Sequence, residues 1–194
     1  MRKRIFFGNY PYSRDGLKKP LEWLVLREFS GGTALLLSKY CIDCIPYNEK
    51  YEPVSWEICT MRHWLDNEFF NTAFSDEEQQ KILLTENAND DNPEHGTKGC
   101  GITFDKIFCL SIDEAEKYLP IKEVRKTWAT PYAKSKGAFI SDYRNRHSCC
   151  WYLRSPGGTR KFAADIEDDG SISHYGFHVN IHWCCIRPAI RINF

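Results

Sequence analysis

The sequence predicts an α+β domain in which helices pack around a small, twisted antiparallel sheet. Three observations point there. Two helix starts are written as capping boxes, Ser75-Asp76-Glu77-Glu78 and Ser111-Ile112-Asp113-Glu114. In each, a serine side chain and a glutamate three residues on satisfy each other's backbone donors. Two apolar runs, 21–26 and 33–38, flank Ser30-Gly31-Gly32 and read as a β-hairpin. From about Tyr143 helical periodicity disappears, and short runs are punctuated by Gly and Pro. That is the texture of an antiparallel β unit.

The elements follow in chain order. Ile5 to Phe7 is a candidate first strand, followed by the hairpin. Between Thr60 and Phe70, Met61, Trp64, Leu65 and Phe69 recur at helical spacing. The first capping box opens a short helix through Leu83. Residues 86–103 are rich in Asn, Asp and Gly and read as a long loop. Lys106 to Leu110 reads as a strand, and the second capping box opens a helix to about Leu119. Thr130-Pro131 is an N-cap and first-turn pair for a helix ending near Gly137. The best strand pattern lies at 177–183, where Phe177, Val179, Ile181 and Trp183 alternate with His178, Asn180 and His182. Asp168-Asp169-Gly170 is a hairpin-type turn ahead of Ser171-Ile172. We read one domain, 1–194, with a scaffold over 1–142 and a β-rich region over 143–194.

Composition narrows the classes. The chain has 194 residues, with 26 Lys+Arg against 26 Asp+Glu and 14% aromatics. That size suits one domain, and so many rings with no net charge do not describe a disordered chain. Charge balance argues against a dedicated nucleic-acid partner. No apolar run approaches the roughly 20 residues that span a bilayer, so no membrane insertion is expected. Arg2, Lys3 and Arg4 are followed by only three apolar residues before Gly8. That is no signal-peptide core, and the expected location is cytoplasmic, with surface or phage display left open by an unseen route.

Nine cysteines fit no simple framework. An odd number cannot pair fully within one chain. Cys41 and Cys44 have zinc-like or redox-like spacing, but the sequence holds no second pair at similar spacing. Cys149-Cys150 and Cys184-Cys185 are vicinal. Neighbours on an extended chain point to opposite faces, so each pair chelates one ion poorly.

The motifs carry a resemblance. Trp151-Tyr152-Leu153-Arg154-Ser155-Pro156-Gly157 resembles a "WWLRSPG" element, and Ile186-Arg187-Pro188-Ala189-Ile190 resembles a terminal "VRPAL". Phe7-Gly8-Asn9-Tyr10-Pro11, Glu22-Trp23-Leu24-Val25-Leu26, 56–74 and 110–115 agree in order. Together they are similar to a gut-bacterial domain-of-unknown-function family with a C-type-lectin-like fold, shared with formylglycine-generating enzymes. Some members resemble variable proteins of diversity-generating retroelements. The resemblance implies a fixed scaffold carrying a face randomised at asparagine AAY codons. A Gly usually precedes the "VRPAL" element, and Cys185 occupies that place here.

That implied face comprises Ser148, Cys149, Thr159, Arg160, Lys161, Phe162, Asp165, Ser173, His174, Tyr175, Phe177, His178, Asn180, His182, Trp183 and Cys184. Cys, His, Tyr, Ser and Phe are reachable from AAY; Lys161, Glu167 and Trp183 are not. The expected partner is an unknown protein or surface ligand, bound by contact, with no catalytic residue and no cofactor. The alternatives are a non-diversified structural or interaction domain of the same family and, behind it, a formylglycine-generating-type oxidoreductase. Arg154 and Arg187, inside scaffold motifs, are expected to be buried and hydrogen-bonded; Trp23, Trp64 and Trp151 belong in the core.

Rival sites are weaker. His178 and His182 would lie roughly 13 Å apart on a strand, too far to share an ion. Asp90-Asp91-Asn92-Pro93-Glu94 supplies oxygen ligands for calcium, but the same residue types are ordinary loop formers. Formylglycine-generating enzymes use a Cys pair spaced several residues apart, a spacing absent from the C-terminal region.

Overall fold

In the computed structural model, residues 3–142 and 147–194 are described. Arg2 and the texture boundary at Tyr143 lie outside them. The described chain is mixed α+β with three antiparallel sheets, where one was expected. A five-stranded sheet runs in the order β1 (Arg4–Pro11), β2 (Lys18–Phe29), β3 (Thr33–Ser38), β10 (Ala189–Asn193), β6 (Ile107–Phe108). Strands β4 (Thr85–Asn89) and β5 (Gly101–Asp105) pair with each other. Strands β7 (Trp151–Pro156), β8 (Phe162–Ile166) and β9 (Ile172–His178) form the third sheet, with β8 in the middle.

The expected hairpin is present. β2 pairs antiparallel with β3 across Ser30–Gly32, where Gly31 and Gly32 both hold positive φ. Leu21, Trp23 and Val25 alternate into the core along β2, while Ala34 to Leu37 are buried without interruption along the more central β3. β1 is longer than the three apolar residues suggested. Its register slips between Phe6 and Asn9, at Gly8, where a Cβ would stand 2.6 Å from the Phe74 ring.

Helical residues 60–73 comprise α1 (Thr60–Trp64), a π turn (Leu65–Phe69) and α2 (Phe70–Ala73). Met61, Leu65, Phe69 and Ala73 are buried at a spacing of four, and Trp64 is half-buried. Both capping boxes form, opening α3 (Asp76–Lys81) and α4 (Ile112–Tyr118). After the short α5 (Lys122–Arg125), Thr130 caps α6 (Pro131–Ser135).

Two readings are corrected. The stretch 86–103 is a loop only over 90–100; its two ends belong to a β-hairpin, β4–β5. Its inward positions are polar: Asn87, Asn89, Thr103 and Asp105 are buried in one hydrogen-bonded network. Apolar alternation therefore could not reveal it. Asn92 donates to Pro156 O and His174 O at 2.8 Å, and Asp91 pairs with Lys98 at 2.6 Å. Those loop groups clamp the chain. The strand expected at 177–183 ends at His178, and 179–180 turn. Val179 is buried in that turn, its N–H donating to Lys161 O and its carbonyl accepting from Asn48 N.

The C-terminal region is not an appendage to a separate scaffold. β10 sits between β3 and β6, and one continuous core includes residues from both parts. Arg154 and Arg187 are buried as expected. Arg154 donates to Ala88 O, Asn89 Oδ1, Cys109 O and Glu114 Oε2, tying β7 to the β4–β5 hairpin and α4.

Candidate recognition face and buried thiol seam

The third sheet grades from dry to wet. Every residue of β7 is buried, β8 is buried from Ala163 to Ile166, and no residue of β9 is buried. β9 is an edge strand whose side chains are available for contact. Gly176 bends it at φ +78°, and a Cβ there would meet Ala163 O at 2.0 Å. The bend allows β9 to stay close to β8. The Tyr175 ring covers Gly158, where a Cβ would lie 2.5 Å from Tyr175 Cδ2.

Rings then connect across the outer surface. His95 meets Tyr175 at 5.6 Å, Tyr175 meets Phe162 at 4.8 Å, and Phe162 meets His178 edge-on at 4.4 Å. His178 stacks on Tyr51 at 4.9 Å, and Lys161 Nζ lies over the same Tyr51 ring at 4.9 Å. Tyr51 is 46% exposed and Tyr175 55%. A second string joins Phe177 to Trp183 at 4.7 Å and Trp183 to exposed Phe139 at 5.9 Å.

The expected face therefore divides. Thr159, Arg160, Tyr175, His178 and His182 are exposed; Lys161, Phe162, Ser173, His174, Phe177, Asn180 and Trp183 are half-buried. Ser148, Cys149, Asp165 and Cys184 are buried and cannot touch a ligand in this fold. Ser148 Oγ donates to Asp168 O at 2.6 Å inside the chain. Asp165 Oδ1 and Oδ2 have no hydrogen-bond partner among the described residues, and burial pushes that carboxyl well above its ordinary range. Tyr51, His95 and Phe139 were missed because they lie far away in sequence, in segments with no local pattern.

The cysteines are the sharpest correction. Segment 184–186 runs beside the start of β7, with Cys185 N–H donating to Cys150 O and Tyr152 N–H to Cys185 O. The vicinal neighbours separate across this pairing. The thiols of Cys149 and Cys185 gather with Cys41, and all three Sγ lie within 4.8 Å of one another. Cys184 interacts instead with Cys150. Cys44 Sγ donates to His182 O at 3.0 Å and interacts with Cys185. All six thiols are buried and free.

A family model described as "Domain of unknown function (DUF6273)" matches residues 31–194. The chain belongs to this family. No curated protein and no solved structure matches it. The DUF6273 match spans the whole of the ring face and the thiol seam.

The chain also carries a cleft of about 730 Å³, beside the π turn, which the sequence did not flag and which Tyr10 and Pro11 line from outside the matched residues. Tyr10, Asp43, Glu49, His63, Glu68 and Lys136 are among its lining residues. The Asp43 carboxylate accepts from Tyr10 OH at 2.6 Å and from Cys44 N–H at 2.7 Å. Burial raises its pKa despite those bonds. No helix among the described residues is long and apolar enough to cross a membrane.

Proposed function

We infer that this chain is a ligand-recognition domain that binds a protein surface through the outer face of β8 and β9, by contact rather than catalysis. The observation that carries it is the connected run of rings from His95 through Tyr175, half-buried Phe162 and His178 to Tyr51, the other four exposed. Tyr and His present large amphipathic area with few rotatable bonds, so little side-chain entropy is lost on binding. Lys161 adds a cation over the Tyr51 ring, and exposed Thr159 and His182 and half-buried Asn180 are the further polar groups that would form a rim in this reading.

The C-type-lectin-like fold and the retroelement origin belong to this reading, supported by the motifs of the sequence. The burial pattern limits diversification to the exposed and half-buried positions. Sequencing the surrounding DNA tests it. A reverse-transcriptase gene and a near-copy of the 3′ coding stretch are expected. That copy should differ at adenines in codons such as those of His174, Tyr175, His178, Asn180 and His182. Differences concentrated at Cys149, Asp165 or Cys184, or no near-copy, overturn that origin.

Recognition itself is tested by selecting binders from a displayed protein library on the folded chain. Binders that lose affinity for a Tyr51→Ser, Tyr175→Ser, His178→Ser variant but not for Phe6→Ser support the face. Equal loss on both surfaces, or none on either, removes it.

The cleft favours a second reading. Asp43, Glu49 and Glu68 line the cleft against one lysine, Lys136, together with the Tyr10 ring, which meets Trp64 and Tyr132 edge-on; that excess of carboxylates suits a small cationic ligand. Loss of such binding in Glu68→Gln with the ring face intact would separate the two readings.

A further inference from the structure

We propose that Cys41, Cys149 and Cys185, with Cys44 beside them, form a buried binding site for a zinc ion. Three segments far apart in sequence deliver the triad, and each is fixed by its backbone. Cys41 N–H donates to Trp128 O, Cys149 N–H to Thr127 O, and Cys185 N–H to Cys150 O. Their Sγ atoms all lie within 4.8 Å of one another. Tetrahedral zinc with bonds of ~2.3 Å sets its sulfurs about 3.8 Å apart, so closure onto an ion needs movements of about 1 Å. Among the described residues no other three His, Cys, Asp or Glu side chains converge this closely.

The chemistry of the donors selects the ion. A set of thiols alone is soft, which excludes calcium and magnesium and suits zinc. The missing second Cys pair of the sequence is supplied by the fold. Cys41-x-x-Cys44 has zinc-site spacing, and Cys149 and Cys185 arrive from the two vicinal pairs. Cys44 interacts with Cys185 and is the candidate fourth donor, its thiol turning from the His182 and Cys184 carbonyls to complete a tetrahedron. Four thiolates around a dication carry two net negative charges, and the nearby Arg187 guanidinium offsets one of them. Binding expels the thiol protons to solvent.

Because the site is sealed, loading is tested during folding. The full chain, reduced and unfolded in guanidinium with a chelator, is refolded with Zn(II) alone and desalted. One zinc per chain is expected, with a melting temperature above that of chain refolded with chelator. Refolding with Co(II) should give the strong thiolate-to-cobalt charge-transfer absorption. Cys149→Ala and Cys185→Ala should abolish uptake, while Cys59→Ala and Cys100→Ala retain it. Cys44→Ala should weaken binding at least tenfold; unchanged affinity would remove Cys44 from the site. If the triad variants do not fold, the cobalt spectrum of the unaltered chain decides. Refolded chain without zinc, cobalt uptake without thiolate absorption, uptake that survives Cys149→Ala, or a disulfide within the triad overturns the site.

Discussion

Strands β7 and β9 flank the same strand, β8, yet live in opposite environments. β7 is buried along its whole length, packed by segment 184–186 on one side and pinned by Arg154 into the hairpin and α4. β9 has no buried residue and faces solvent as an edge. Both come from the region that the sequence marks as a single mixed texture. Residue type does not decide which side a position serves; pairing partners do. A cysteine beside β7 is core, and a histidine two positions before it, His182, is exposed.

The largest test of this contrast lies in the arginines. Arg154→Met removes the partner of four acceptors in the interior, including the Glu114 carboxylate. A loss of about 3–5 kcal/mol is expected, as for one member of a buried ion pair. Arg160→Met, in the exposed turn between β7 and β8, should change stability by less than ~0.5 kcal/mol. Urea midpoints compare them directly, and equal effects would erase the distinction.

A second test uses substitutions that an asparagine codon would itself supply. Cys184→Asn places a larger amide at a fully buried position, beside Cys150. Overpacking and an unsatisfied amide together should cost about 2–4 kcal/mol. His182→Asn, two residues away and exposed, should be neutral within about 0.5 kcal/mol. A tolerated Cys184→Asn would restore that position to the variable set.

The sequence made local features legible and hid those built by distant pairing. Capping boxes and the hairpin glycines act within a few residues, so Ser75, Ser111, Gly31 and Gly32 announced themselves. The buried arginines were legible from their apolar motif surroundings. The β4–β5 hairpin was not, because Asn87, Asn89, Thr103 and Asp105 satisfy each other inside and break the alternation that signals a strand. At 177–183 the alternation was real but ended early, since Val179 is buried by a turn. The face was half legible: its rings on β8 and β9 were named, but Tyr51, His95 and Phe139 join only in three dimensions. The thiol seam was hidden for the same reason. Its members are spread from Cys41 to Cys185, and vicinal spacing argued against chelation until each neighbour found a different cluster.

Asp165 offers a smaller test, with a pH signature. Its folded carboxyl binds a proton more tightly than the unfolded one, because burial penalises the charge. Between the unfolded pKa of about 4 and the raised folded value, the native state therefore holds more protons, and stability falls as pH rises. Asp165→Asn should stabilise the chain by about 1–3 kcal/mol at neutral pH, with the gain vanishing below pH ~4. Denaturation curves at several pH values check it. A gain that persists at low pH would mean that repacking, not charge, is responsible.

The smallest stability effect belongs to the face itself. Tyr175→Ser with His178→Ser removes two exposed side chains whose contacts are mostly with other partly exposed rings. Exposed ring pairs contribute little beyond their area, so the double variant should lose about 1 kcal/mol or less, a melting shift of a few degrees at most. Binding should respond in the opposite proportion. If the ring run is the centre of a recognition surface, truncating two of its anchors should weaken selected binders at least tenfold, the behaviour of hot-spot residues. Stability and binding are thus decoupled on β9, whereas on β7 every substitution is read first as folding. A double variant that unfolds would place β9 with β7, and the outer face would then be part of the core's closure rather than a surface kept for a partner.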